Sequence, residues 1–232
     1  MTPNQVTLAR VGAAFAAVAL FTAGQDVLAA DLGAVVLTIA AIALDGVDGY
    51  IARTRGLATP LGAQLDILGD RVVENLFLTC FAVSGLISMW VPVAFFVRGA
   101  LTDFLRGLAA RAGRTGFARN SMLETRWGKR LVASRASRAA YASLKCVCFC
   151  YLGLLLPLRH PAGVVSEAAF GSWFAAWLST PVASSLLEAG RVLTGVTLFF
   201  CLVRAFPVIW EGRRYLAVGA PPRKRLALPV IR

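Results

Sequence analysis

Six apolar runs of membrane-spanning length, with the arginines and lysines gathered mostly between them, constrain this chain more than any other feature. A helix needs about 20 predominantly apolar residues to cross a hydrocarbon core. Runs of that kind are expected at about 5–24, 31–53, 60–87, 92–112, 136–158 and 186–210. With 58% hydrophobic residues in 232, the composition is that of a polytopic membrane protein rather than a soluble domain. The net charge of +12 would suit a nucleic-acid partner if it were spread over a face. Its segregation into a few loops follows instead from membrane topology and anionic lipid. The expected fold is an all-α integral membrane protein: six transmembrane helices in one bundle covering 1–232, with 211–232 as a basic cytosolic tail.

Hydropathy alone misplaces one turn. Asn75 to Val97 is an uninterrupted apolar run that counts as one helix by length. That count would put Arg111, Arg114, Arg119, Arg126, Lys129, Arg130, Arg135 and Arg138 on the non-cytosolic side, against the positive-inside rule. A break at Ser88 to Pro92 removes the conflict and leaves both termini cytosolic. Residues 113–135 then form a basic cytosolic segment, partly helical along the interface. Arg159 to Ser185 is a non-cytosolic connection whose apolar piece, Ala169 to Leu178, is too short to cross and is expected to lie on the surface or pack as a lid. A signal peptide is disfavoured for 5–24, which lacks a basic n-region and a small-residue cleavage pattern. Cys146, Cys148 and Cys150 alternate along one helix and do not share a single face, so they read as reduced, buried thiols. His160 is given no role.

Four of the twelve carboxylates, Asp45, Asp48, Asp66 and Asp70, sit inside apolar sequence, where an ionised acid is expensive unless paired, hydrated or bound to a cation. Asp45 and Asp48 are three apart and Asp66 and Asp70 four apart, so each pair projects from one helix face. Thr59-Pro60 between them is a helix start, Thr as N-cap and Pro in the first turn. Two helices joined by so short a loop lie antiparallel, which brings the four acids together near one end. An oxygen-only donor set favours Mg²⁺ or Mn²⁺ over zinc. Gly49, Ala52 and Gly62 leave a small-walled groove beside the acids, and Arg53 offers a planar fork to a phosphate. Together they describe a site for a pyrophosphate nucleotide near the cytosolic side.

These residues resemble the CDP-alcohol phosphotransferases, also called CDP-alcohol phosphatidyltransferases, integral membrane enzymes of phospholipid synthesis. Asp45, Asp48, Gly49, Ala52 and Arg53, then a spacer of eight, then Gly62, Asp66 and Asp70 meet every fixed position of that family's signature. The opening Asn4, Thr7 and Arg10 is similar to its N-terminal segment, a weaker match. The resemblance implies attack by an acceptor hydroxyl on the lipid-linked phosphate of a CDP-lipid such as CDP-diacylglycerol, with release of CMP. It also implies two divalent ions, Asp45, Asp48, Asp66 and Asp70 as ligands, Asp70 as ligand, base or both, and a homodimer. Gly49, Ala52, Arg53 and Gly62 are assigned to the CDP moiety.

For the acceptor, Arg98, Arg106, Lys129, Arg130, Arg135, Arg138 and Lys145 supply cations, of which Arg98, Arg106, Lys129, Arg135 and Arg138 are the chosen set. They suit a phosphorylated acceptor such as glycerol 3-phosphate or another phosphorylated polyol. Serine or another small alcohol is the second expectation. Glu74 is expected to pair with a basic residue such as Arg98, and Asp103 with Arg106 on its own helix. The competing function class is a cation transporter, whose carboxylates tend to lie at the membrane midplane on broken helices. A bacterial inner-membrane location is expected.

Overall fold

The computed structural model describes residues 3–23, 28–54, 59–114, 121–156 and 181–217. Within these ranges, the side chains of Pro3, Leu28, 45–54, Pro60 and Ala63 are not described. The architecture is all-α. The elements are α1 (Pro3–Ala23), α2 (Leu28–Thr54), α3 (Pro60–Val83), α4 (Trp90–Arg111), the single turn α5 (Arg126–Gly128), a π-helix (Lys129–Ala133), α6 (Arg135–Leu155), α7 (Pro181–Gly212) and the short α8 (Arg214–Ala217).

The helices α1, α2, α3, α4, α6 and α7, of 21 to 32 residues, stand where the six spans were expected. Among the described residues, Asn4–Ala23, Arg135–Leu155 and Pro181–Leu216 are long and apolar enough to cross a membrane. Ala29–Leu44 is a shorter apolar helix. Ala29–Leu44 is the stretch of α2 whose side chains are described; α3 and α4 are less apolar because α3 carries Asp66, Asp70, Arg71 and Glu74, and α4 carries Arg98, Asp103 and Arg106.

The break inside the apolar run 75–97 is present and is made by glycine. Gly85 has φ 71°, the left-handed conformation that costs glycine nothing. Its N–H donates to Ala82 O at 2.8 Å and the N–H of Leu86 to Phe81 O at 3.0 Å, the paired bonds of a Schellman ending. The same device ends α4 at Gly113, with Arg114 N–H on Ala109 O at 2.9 Å. The turn therefore falls at 84–89, a few residues before the expected Ser88 to Pro92. Pro92 instead occupies the first turn of α4, where its missing N–H costs nothing. The start of α2 also differs: Asp31 is buried in its first turn, where a carboxylate meets the positive end of the helix dipole.

The described residues group into two compact units, drawn from Met1–Phe96 with Tyr141–Phe199 and from Val97–Ala140 with Phe200–Arg232. In the first, α1 packs on both α2 and α3. Phe77 and Phe81 of α3 meet Phe149 of α6 edge-on at 6.4 Å. Gly190 of α7 lets Tyr151, Leu152 and Leu155 of α6 come close, and Tyr151 Oη donates to Leu186 O at 3.0 Å. Cys148 is buried within 3.8 Å of Thr194 Oγ1. Cys146 is exposed and Cys150 half-buried. The exposure of Cys146 corrects the expectation that all three thiols are buried.

The second unit closes over Ala109, Met122, Leu123, Val132 and Val208. Two charges of α7 stitch it together. Glu211, 2% exposed, accepts the N–H of Glu124 at 2.5 Å and the hydroxyl of Thr125. Arg204 donates to Leu131 O at 2.7 Å, Val132 O at 3.3 Å and Ser137 Oγ, satisfying carbonyls that the π-helix leaves open. Arg214 lies 2.8 Å from Glu124. Its hydrogen bond and then its charge hold that carboxyl below the usual range, so the pair favours the fold at neutral pH and loses its effect as pH falls through the lowered pKa.

Candidate active site

The second half of the acidic motif is set by how α3 starts. Thr59 is its N-cap, extended at φ −113° and ψ 153°, and its Oγ1 accepts the N–H of Gly62 at 3.0 Å, with Pro60 in the first turn. From there Gly62, Asp66, Gly69 and Asp70 follow at helical spacing along one face. On α1, Asn4, Thr7 and Arg10 recur every three residues. The two faces meet, and glycine permits it. A Cβ on Gly62 would lie 2.9 Å from Asn4 Oδ1, and one on Gly69 would lie 2.9 Å from Thr7 Cγ2 and 3.0 Å from Arg10 Nη2.

Into that close contact α1 delivers a guanidinium. Arg10 is 2% exposed, and donates from Nη1 to Asp70 Oδ1 at 3.0 Å and from Nη2 to Asp66 Oδ1 at 3.4 Å. The two carboxylates are 45% and 48% exposed. They are thus held from one side and open on another. The planar fork spans two acids at once, which a lysine ammonium does less well.

Gly69→Ala is expected to destabilise the protein by about 1–3 kcal/mol, the usual cost of overpacking, and to move Arg10 off Asp70. Thermal unfolding in detergent checks it; an alanine variant with unaltered melting would show that the two helices need not approach so closely.

The first half of the motif lies on the last turns of α2, where the backbone is helical. The side chains of Asp45, Asp48, Gly49, Ala52 and Arg53 lie outside the described residues. Among the described residues, Asp66 and Asp70 form a pair and no group of three or more metal-type side chains occurs. One turn further along α3, Glu74 is 3% exposed and ion-paired, as expected of it. Its partners include Arg71 at 2.9 Å and Lys145 at 3.4 Å. Lys145 also lies over the Tyr141 ring at 5.1 Å, so this cation, grouped above with the acceptor residues, is engaged by Glu74.

The residues expected to take the acceptor, Arg98, Arg106, Lys129, Arg135 and Arg138, all belong to the second unit. Arg98 is buried on α4. Arg106 pairs with Asp103 at 3.4 Å, the expected intrahelical partner. Lys129 opens the π-helix and Arg135 opens α6, with Arg138 one turn on, all three exposed. The segment 159–180 with His160, and the tail residues Arg223, Lys224 and Arg225, lie outside the described residues.

Sequence reasoning missed three residues: Arg10 as the partner of the acids, and Arg204 and Glu211 as the ties of the second unit. Each is a charge within or at the end of an apolar run. The cost of burying such a charge, applied above to the four aspartates, was the available signal.

Comparison with known proteins gives a consistent result. Residues 1–184 match the family model for CDP-alcohol phosphatidyltransferase. The chain is similar to a CDP-diacylglycerol–glycerol-3-phosphate 3-phosphatidyltransferase of Bacillus subtilis, 30% identical over 48% of this chain and 63% of the relative. A phosphatidylinositol phosphate synthase of Corynebacterium glutamicum is 34% identical over 44% of this chain and 42% of its own. An archaetidylinositol phosphate synthase of Aeropyrum pernix is 30% identical over 48% and 54%. The chain thus spans less than two thirds of each of these relatives.

Proposed function

Because the chain belongs to the CDP-alcohol phosphatidyltransferase family, we propose that it is a membrane enzyme transferring a phosphatidyl-type group from a CDP-lipid such as CDP-diacylglycerol to an alcohol, with release of CMP. The observation that carries this reading is the pair Asp66 and Asp70, held side by side by Arg10, within a motif matched at every fixed position.

The donor chemistry suits a divalent cation: two half-exposed carboxylates one turn apart, oxygen ligands only, as Mg²⁺ or Mn²⁺ prefers. Asp45, Asp48, Asp66 and Asp70 would hold the ions, two in number as the family resemblance implies. When bound, divalent cations neutralise the pyrophosphate and the departing CMP. The chain's own part is positioning and proton transfer. Gly49, Ala52, Arg53 and Gly62 bind the CDP moiety. The acceptor oxygen attacks the phosphorus that bears the lipid, the bond from that phosphorus to the bridging oxygen breaks, and CMP leaves with the electron pair. Asp70 takes the hydroxyl proton, since an alcohol is a poor nucleophile at neutral pH. A loose phosphoryl transition state asks for little covalent help beyond this.

We assign acceptor recognition to Arg98, Arg106, Lys129, Arg135 and Arg138, and the acceptor class to phosphorylated polyols. One relative's name specifies glycerol 3-phosphate and two specify inositol phosphate lipids, which supports a phosphate on the acceptor over serine or another small alcohol. The reading places the protein as a six-span homodimer in the bacterial inner membrane, site near the cytosolic side, both termini cytosolic. Purified protein given CDP-diacylglycerol, Mg²⁺ and in turn glycerol 3-phosphate, inositol phosphate and serine is expected to release CMP with a phosphorylated polyol. Release with serine alone would overturn the acceptor class. Ion flux through vesicles with no CMP from any acceptor would favour the transporter class.

A further inference from the structure

Among the described residues, Arg10 is a deeply buried charge, 2% exposed, that touches Asp66 and Asp70, yet it lies outside the motif, 56 and 60 residues from its partners. We propose that it is a positioning residue that presets Asp66 and Asp70 to receive a divalent cation. This rests on the reading of those acids as metal ligands. The guanidinium engages one named oxygen, Oδ1, on each acid, at 3.4 and 3.0 Å. Two carboxylates one turn apart would otherwise rotate independently and repel each other. A shared fork fixes both rotamers and offsets their repulsion before any ion arrives. The fork itself is fixed: Arg10 is 2% exposed, and the space beside its Nη2 exists because residue 69 has no side chain.

A cation so close to a metal site also repels the metal, and the sign of the net effect decides the matter. The acids are half exposed, so water screens repulsion acting over several ångströms. The hydrogen bonds act at contact and are not screened in that way. Partners that orient metal ligands typically contribute about 10–100-fold to metal affinity, and that is the effect assigned to Arg10.

The test is Mn²⁺ binding to the purified full chain without substrates, read from the loss of the free Mn²⁺ signal by electron paramagnetic resonance. Arg10→Gln is expected to weaken Mn²⁺ binding by about 10–100-fold. Arg10→Lys, which keeps the charge but not the fork, is expected to fall between that variant and wild type. Equal or tighter binding in Arg10→Gln overturns the proposal, since Arg10 would then act as filler or competitor. If Arg10→Gln does not survive purification, Arg10→Lys decides: weaker Mn²⁺ binding at unchanged melting temperature supports the proposal, and wild-type affinity overturns it. A wild-type protein that takes up no Mn²⁺ sinks the reading of the acids themselves, and this inference with it.

Discussion

Asp70→Asn is expected to abolish CMP release while leaving a folded protein. The residue carries two duties in the proposed reaction, proton acceptor and metal ligand. Loss of general-base help alone costs about 10²–10⁴ in rate, and loss of a ligand adds to it. The fold should survive because the change is nearly isosteric. An amide oxygen can still accept the Arg10 Nη1 hydrogen bond made at 3.0 Å, and the side chain is 45% exposed, so no buried charge is stranded. CMP release measured beside thermal unfolding separates the two effects. Near-normal turnover would remove Asp70 from its proposed role, and a collapsed melting transition would reassign it to structure.

How much of this was legible in the sequence can be followed residue by residue. The long helices were, because apolar length and the distribution of Lys and Arg over-determine them; even the turn hidden in the run 75–97 followed from charge, and Gly85 supplies its means. The start of α3 was legible from Thr59 and Pro60, since a cap is a local matter of three residues. The faces were legible too: spacing puts Asp66 and Asp70 together, and Asn4, Thr7 and Arg10 together. That the two faces meet was not, because helical periodicity says which residues share a side and nothing about what a side meets 60 positions away. Gly69 was silent for the same reason, as its role exists only once Thr7 and Arg10 stand opposite. Arg204 and Glu211 were read past as part of an apolar run ending in a topology signal, whereas each satisfies backbone groups of a segment more than 65 residues earlier.

Removal of divalent ions is the second large effect. Purified protein stripped with a chelator is expected to lose CMP release at least about a hundredfold, since metal stabilisation of such a transition state is worth several kcal/mol and each 1.4 kcal/mol is roughly tenfold. Arg10 cannot substitute, being turned toward the acids it holds rather than left for the pyrophosphate. Graded return of Mg²⁺ or Mn²⁺ should restore turnover along a saturable curve in the wild-type chain. In Asp45→Asn, Asp48→Asn, Asp66→Asn and Asp70→Asn the curve should shift to higher metal concentration or stay flat. That titration, run on the five proteins with CDP-diacylglycerol and glycerol 3-phosphate, asks directly whether these aspartates hold ions for a CDP-lipid. The expected result is metal-dependent CMP release that each substitution impairs; undiminished release in chelator, or four variants with the wild-type metal response, would contradict it.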